Sequence, residues 1–324
     1  MPLGPGTSEL TPTMVAPPRI PARVATVRRQ FDARAARFGQ SATLPREIGR
    51  RLVERLQYIR LAPQCILDVG CGAAETRALL QVQYPRADWV GLDISERMLK
   101  AAATDGMRER AVNWLRGSVS HRVAGDAGRL PFADQSADLV FSNLMLHWHP
   151  EPHTVFPEWK RVLKTDGLLM FSCFGPDTLK ELRAAAAVAL PNFRAMPFVD
   201  MHDFGDMMVA SGFATPVMDA EVITLTYSSP QQLLQEVRVL GGNPREDRAQ
   251  WLPSGRQARQ VLSALDAQRG DDGRIRLTFE VAYGHAWKPA PSAPRGVTAI
   301  TLETLRAQLA SRNPIGNRPR QVEV

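Results

Sequence analysis

Three acids recur along the first half of the chain, each at the end of a short apolar run. They are Asp68 in "ILDVGCGAAE", Asp93 in "VGLDIS" and Asp126 in "AGDAGRLPFADQSADLV". Gly70 and Gly72 follow the first acid, one residue apart. Glycine lets a backbone bend sharply and approach a ligand closely. A dinucleotide fingerprint would place a third glycine three residues after Gly72, where this chain has Glu75, so the pyrophosphate motif is incomplete. Asp68 and Glu75 would also repel a pyrophosphate. Acids around such a turn suit a cation, an amine or a sulfonium. Asp93 can accept hydrogen bonds from both hydroxyls of a ribose, a role also met in nicotinamide enzymes. Asp126 can accept from an adenine amino group. Each acid has a plainer reading. Asp68 could cap the following helix, Asp93 could be a turn or cap residue beside an equally good cap, Ser95, and Asp126 could be a simple turn acid.

Three acids after three successive strands, with no anion-binding glycine helix, fit adenosine without phosphates. S-adenosylmethionine is the common cofactor of that description. Few residues offer themselves as a base. His147 and His149 in "LMLHWHPE" follow the fourth apolar run, or else pack a loop around Trp148. His202 and His285 show no metal spacing.

These residues must be held by an alternating framework. Strands are expected at Cys65–Val69, Asp88–Asp93, Arg122–Gly125, Ala137–Asn143 and Gly167–Cys173. Helices are expected at Ala73–Gln83, Glu96–Ala103 and Thr154–Leu163. Apolar strands alternating with helices predict a parallel sheet covered on both faces, with ligands at the carboxyl ends of the strands. Two helices, Val24–Phe38 and Pro45–Arg60, precede it. After Phe174 the rhythm changes to helices at Asp177–Leu190, Asp203–Ser211, Pro230–Leu240 and Ser254–Gln268, expected to cap the sheet's carboxyl edge. Val222–Tyr227 and Arg276–Tyr283 are β-rich and read as an antiparallel pair closing the sheet.

The chain has 324 residues, 44% of them hydrophobic, and a formal charge of +7. No apolar run reaches the about 18 residues of a membrane span. The N-terminus lacks a signal-peptide core. Its composition admits a mitochondrial presequence, but its prolines would break the helix. Cys65, Cys71 and Cys173 show neither zinc nor redox spacing and suit a reducing cytoplasm. The positive charge points to an acidic partner. Basic runs with interleaved aromatics are absent, which argues against nucleic acid.

"LDVGCGAAE", "VGLDIS" and "AGDAGRLPFADQSADLVFSNLMLHW" together resemble the class I methyltransferases. Ala74 is a departure, since that family usually has a third glycine there. The resemblance implies an α/β, Rossmann-like fold with a seven-stranded, mostly parallel sheet and a helical cap inserted after the fifth strand. It implies S-adenosylmethionine held by Asp68, Gly70, Cys71 and Gly72 after the first strand, Asp93 and Ile94 after the second, Asp126 and Ala127 after the third, and Asn143 after the fourth. The expected organisation is a disordered stretch at 1–22, one domain at 23–288 and a flexible tail at 289–324. Within the domain, 24–60 form the N-terminal helices, 64–174 the cofactor core, 175–275 the cap with strand 6, and 276–287 the last strand.

"VRRQFDARAARF", "FSCFGPDTLKELRAA" and "LTFEVAYGHAW" resemble, more narrowly, the malonyl-acyl-carrier-protein O-methyltransferases of biotin synthesis. Phe38 departs from that group, where tyrosine is frequent. The resemblance implies a free malonyl carboxyl as acceptor, an acidic acyl carrier protein as partner, and no need of a base, because a carboxylate is already ionised at neutral pH. A cation is expected to meet that carboxylate. Arg183 in "DTLKELR" is the first choice, unless it pairs with Asp177 or Glu181. Arg238 is a weaker candidate. Arg50, Arg51 and Arg55 could meet the carrier. The N-terminal helices are expected to close over the cofactor, with Gln30 and Phe31 as a lid. The same stretches also resemble a mitochondrial relative that helps assemble respiratory complex I and is associated with arginine hydroxylation. A methyltransferase acting on a quinone-type lipid is a third reading.

Overall fold

The computed structural model describes residues 24–102, 119–190, 193–241, 255–291, 302–304 and 306. The stretch at 1–22 lies outside the described residues, as do Ala103, Ser254 and most of 289–324. The chain divides into Met1–Lys288, which holds the sheet and its helices, and Pro289–Val324.

Strands β1 (Cys65–Val69), β2 (Asp88–Asp93), β3 (Ser120–Ala124), β4 (Ala137–Asn143), β5 (Leu163–Phe174), β6 (Ala214–Tyr227) and β7 (Ile275–Trp287) form a seven-stranded sheet. Their order is β3-β2-β1-β4-β5-β7-β6. The first five are parallel, and β7 runs antiparallel to both β5 and β6. The chain moves outward from β1 to β3 and then returns to β4 on β1's other side. That reversal opens a crevice at the carboxyl ends of β1 and β4, where an open α/β sheet binds its ligand.

Helices α1 (Val24–Ser41) and α2 (Thr43–Arg55) precede the sheet, and α3 (Arg77–Gln83) and α4 (Glu96–Ala101) follow β1 and β2. Then come α5 (Pro152–Val162), α6 (Lys180–Ala189), α7 (Met201–Ala210), α8 (Pro230–Leu240) and α9 (Gly255–Asp266). Successive strand residues feed opposite cores, as a period of two requires. Ile66, Leu139 and Leu168 join Ile48 and Leu52 of α2, Leu56 just after it and Leu265 of α9 on one face. Leu67, Val140 and Leu169 join Phe156 and Trp159 of α5 and Phe204 of α7 on the other.

Helix α3 begins at Arg77 rather than Ala73. Ala74 sits in the left-handed region, φ 58°, and interrupts any helix there. Strand β6 begins at Ala214, well before Val222. It is the sheet's edge strand and alternates half-buried with exposed residues, so its first half carries no apolar run.

Three arginines offered for carrier contact are committed within the fold. Arg50 pairs with Glu47 and Glu54 along α2. Arg51 reaches Glu221 of β6 at 2.6 Å. Arg55 reaches Asp219 at 2.8 Å and lies 3.6 Å over the Tyr283 ring. Arg51 and Arg55 tie α2 to the antiparallel edge of the sheet.

Candidate active site

One cleft opens at the carboxyl ends of β1, β2 and β4 and at the turn after β3. Asp68, Gly70, Cys71, Gly72, Asp93, Ile94, Asp126, Ala127, Asn143 and His147 all line it.

The glycine turn earns its residues through backbone geometry. Gly70 has φ 76° and Gly72 φ 53°. A Cβ at Gly70 would lie 2.2 Å from Met145 Cγ. Gly70 and Cys71 donate their backbone N–H groups to Leu92 O at 2.7 and 3.0 Å, fixing the turn against β2. Gly72 N–H donates to Asp93 Oδ2 at 2.9 Å. Glu75 is neutralised by Arg46 of α2 at 2.5 Å.

Asp68 is 1% exposed. Its Oδ2 accepts from Thr76 Oγ1 at 3.2 Å and from Trp89 Nε1 at 3.3 Å, while Oδ1 is buried without a partner. Burial pushes its carboxyl up to about 7, against the two hydrogen bonds and with the help of Asp93. Burial likewise pushes Asp93 up to about 6, although Ser95 and Gly72 donate to it. Ser95, not Asp93, caps α4, accepting from Met98 N–H and donating to Asp32 of α1 at 2.6 Å. Two buried acids with raised proton affinity call for a cation. Among the described residues the cleft wall contains no lysine or arginine.

Asp126 is held differently. His149 Nδ1 accepts from Glu151 N–H at 3.1 Å, so the neutral ring carries its proton on Nε2 and donates to Asp126 Oδ1 at 3.2 Å. Gly128 N–H adds a bond at 3.0 Å. The His149 hydrogen bond holds Asp126 below the usual carboxylate range. This pair went unread in the sequence, where "LHWHP" gave only the position of the histidines. Asn143 lines the cleft, but its amide is spent on structure: Nδ2 donates to Pro45 O at 2.9 Å, and Oδ1 accepts from Ser172 Oγ at 2.8 Å.

His147 is buried, and desolvation pushes its imidazole down to about 3. Its Nδ1 faces Phe174 N–H at 3.4 Å. Arg183 does not line the cleft. It lies half-buried on α6, and its guanidinium donates to the Pro176 carbonyl. Neither acid suggested as its partner takes it: Asp177 pairs with Lys180, and Glu181 accepts from Thr278. Arg238 is exposed on the last turn of α8.

Helix α1 covers part of the cleft with Val24, Val27, Phe31 and Phe38. Phe31 meets Trp148 edge-on at 5.3 Å. Gln30 is not in the wall. Trp148 and Phe174 extend the aromatic lining. The residues present therefore fit S-adenosylmethionine: acids for a cation and a ribose, a small backbone turn, and an apolar, aromatic wall that favours a sulfonium.

Fold and cleft define a methyltransferase that uses S-adenosylmethionine as cofactor. A family model described as "Methyltransferase domain" matches residues 67–171. The chain is 41% identical over 280 residues to the malonyl-(acyl-carrier protein) O-methyltransferase of Methylovorus, covering 85% of this chain and 93% of that one. It is 39% identical over 262 residues to malonyl-(acyl-carrier protein) O-methyltransferase 1 of Coxiella burnetii, covering 81% and 86%. The chain belongs to the malonyl-(acyl-carrier protein) O-methyltransferase family. Among solved structures, a Bacillus halodurans chain described as a methyltransferase shares the fold at TM-score 0.51 and 19% identity, over 74% of this chain and 99% of that one. The YcgJ protein of Bacillus subtilis does so at TM-score 0.50 and 16% identity, over 74% and 98%. Among the described residues no helix is long and apolar enough to cross a membrane.

Proposed function

We propose that this chain esterifies the free carboxyl of malonyl-acyl carrier protein. One observation carries the choice of acceptor: neither histidine of the cleft is available as a base. His147 is held neutral with Nδ1 occupied, and His149 spends its Nε2–H on Asp126. With the cleft's three carboxylates assigned to the cofactor, an acceptor that must be deprotonated would lack a partner here, whereas a carboxylate arrives ionised.

S-adenosylmethionine supplies an electrophilic methyl group on its sulfonium. Asp68 offers its unpartnered oxygen to the cofactor's ammonium, Asp93 its remaining lone pairs to the ribose hydroxyls, and Asp126 its second oxygen to the adenine amino group. The aromatic wall excludes water and brings the acceptor into line with the methyl group. An acidic carrier suits a chain of formal charge +7. With the α2 arginines committed, exposed Arg129 beside the Asp126 turn and exposed Arg238 near Leu240 are the basic side chains that would meet it. The free cysteines Cys65, Cys71 and Cys173 suit the cytoplasm.

The methyl ester would disguise the malonyl group for elongation toward pimelate, the role in biotin synthesis that the resemblance implies. Deletion of the gene tests this. A biotin requirement is the expected phenotype. Loss of respiratory complex I or of a quinone, with biotin synthesis intact, would favour the two other readings instead.

A further inference from the structure

Two donors converge on one nitrogen of His147. Phe174 N–H lies 3.4 Å from Nδ1 and the Cys173 thiol 3.7 Å from it. A ring nitrogen that accepts carries no proton, so the neutral imidazole carries its proton on Nε2. The two nitrogens point to opposite sides of the ring, so Nε2–H is turned away from β5. It is buried and has no hydrogen-bond partner. The ring lines the cleft and is fixed by Phe174, Trp148 and Phe198, with centroids 4.8, 5.1 and 5.9 Å away. A buried donor without a protein partner, on a ring that lines a cleft, is open to a partner from a bound ligand.

We propose that His147 holds the acceptor carboxylate as a neutral hydrogen-bond donor, through Nε2–H. This rests on the malonyl reading above. In the reaction, a carboxylate oxygen forms the O–CH₃ bond with its own lone pair, the S–CH₃ pair stays on sulfur, and no proton moves. A negative and a positive charge cancel as the bond forms. A guanidinium gripping the carboxylate would therefore stabilise the reactants more than the transition state. A neutral donor fixes one oxygen and leaves the other nucleophilic. The absence of lysine and arginine from the described cleft wall follows the same logic.

The test compares wild type, His147→Phe and His147→Gln on malonyl-acyl carrier protein, with S-adenosylhomocysteine affinity as the measure of an intact cofactor site. Phenylalanine keeps the aromatic packing and loses the donor; glutamine places an amide N–H near the position of Nε2. His147→Phe should lose about 10- to 100-fold in kcat/KM, the worth of one hydrogen bond to a charged group, with S-adenosylhomocysteine bound as in wild type. His147→Gln should recover most of the loss. In wild-type protein labelled with ¹⁵N-histidine and saturated with S-adenosylhomocysteine, the His147 Nε2–H resonance should move on adding malonyl-acyl carrier protein and stay still with the acetyl form. Full kcat/KM in His147→Phe, or a proton found on Nδ1, would overturn the proposal. A wild-type enzyme that binds S-adenosylhomocysteine but never methylates the malonyl form would overturn the acceptor itself, and this role with it.

Discussion

Replacing Asp68 by asparagine should stabilise the ligand-free protein while weakening cofactor binding, and the gain should depend on pH in one direction. The carboxyl is buried, one of its oxygens is unpartnered, and it titrates at about 7. In the unfolded chain an aspartate titrates near about 3.9. Below that value the group is protonated in both states and stability is independent of it. Between about 4 and about 7 the folded protein keeps a proton that the unfolded chain releases, so stability falls as pH rises, by about 1.36 kcal/mol per pH unit. Above about 7 the loss is complete, at about 4 kcal/mol. Asparagine cannot ionise, keeps an oxygen for Thr76 and Trp89, and avoids the loss. Urea unfolding should give a gain of about 1 kcal/mol at about pH 4.5, approaching about 4 kcal/mol at about pH 8. Calorimetry should show S-adenosylhomocysteine binding about 10- to 100-fold weaker. Equal stability effects at the two pH values, or unchanged affinity, would refute the reasoning.

The turn residues make further predictions. Ala74→Gly relieves a left-handed alanine worth about 1–2 kcal/mol and restores about 0.4–1 kcal/mol of unfolded-state freedom. The net gain is about 0.5–1 kcal/mol, read by urea unfolding. Gly70→Ala meets Met145 and keeps φ 76°; it should cost about 2–4 kcal/mol and abolish S-adenosylhomocysteine binding in calorimetry. His149→Ala frees Asp126, whose carboxyl should titrate higher by NMR. Cofactor affinity should fall about threefold to tenfold, as for one ordinary hydrogen bond.

The legible parts of the fold were those where one local signal dominates. β1, β2 and β4 are buried apolar runs ending in Val69, Asp93 and Asn143, and α8 is bounded by Ser229 as cap and by Gly241. The parts misread depend on partners. β6 is an edge whose pattern is set by pairing with β7. The start of α3 is set by one positive φ at Ala74, a residue that seldom adopts it. The gathering of the acids and glycines at one cleft was readable because strand ends converge in a parallel sheet. The place of Arg183 outside that cleft was not, because its direction is set by the turn into α6, where Leu179 takes φ 60° and the guanidinium closes on Pro176. The pairing of His149 with Asp126 was hidden because the two lie 23 residues apart in different loops.

Methyl transfer from labelled S-adenosylmethionine to malonyl-acyl carrier protein, with the acetyl form as control, addresses the central claim most directly. Label should appear on the malonyl form alone, be released by mild base as expected of a methyl ester, and vanish in Asp68→Ala. Label on both forms, or none on the malonyl form by a protein that binds the cofactor, would contradict the assignment of a carboxylate acceptor.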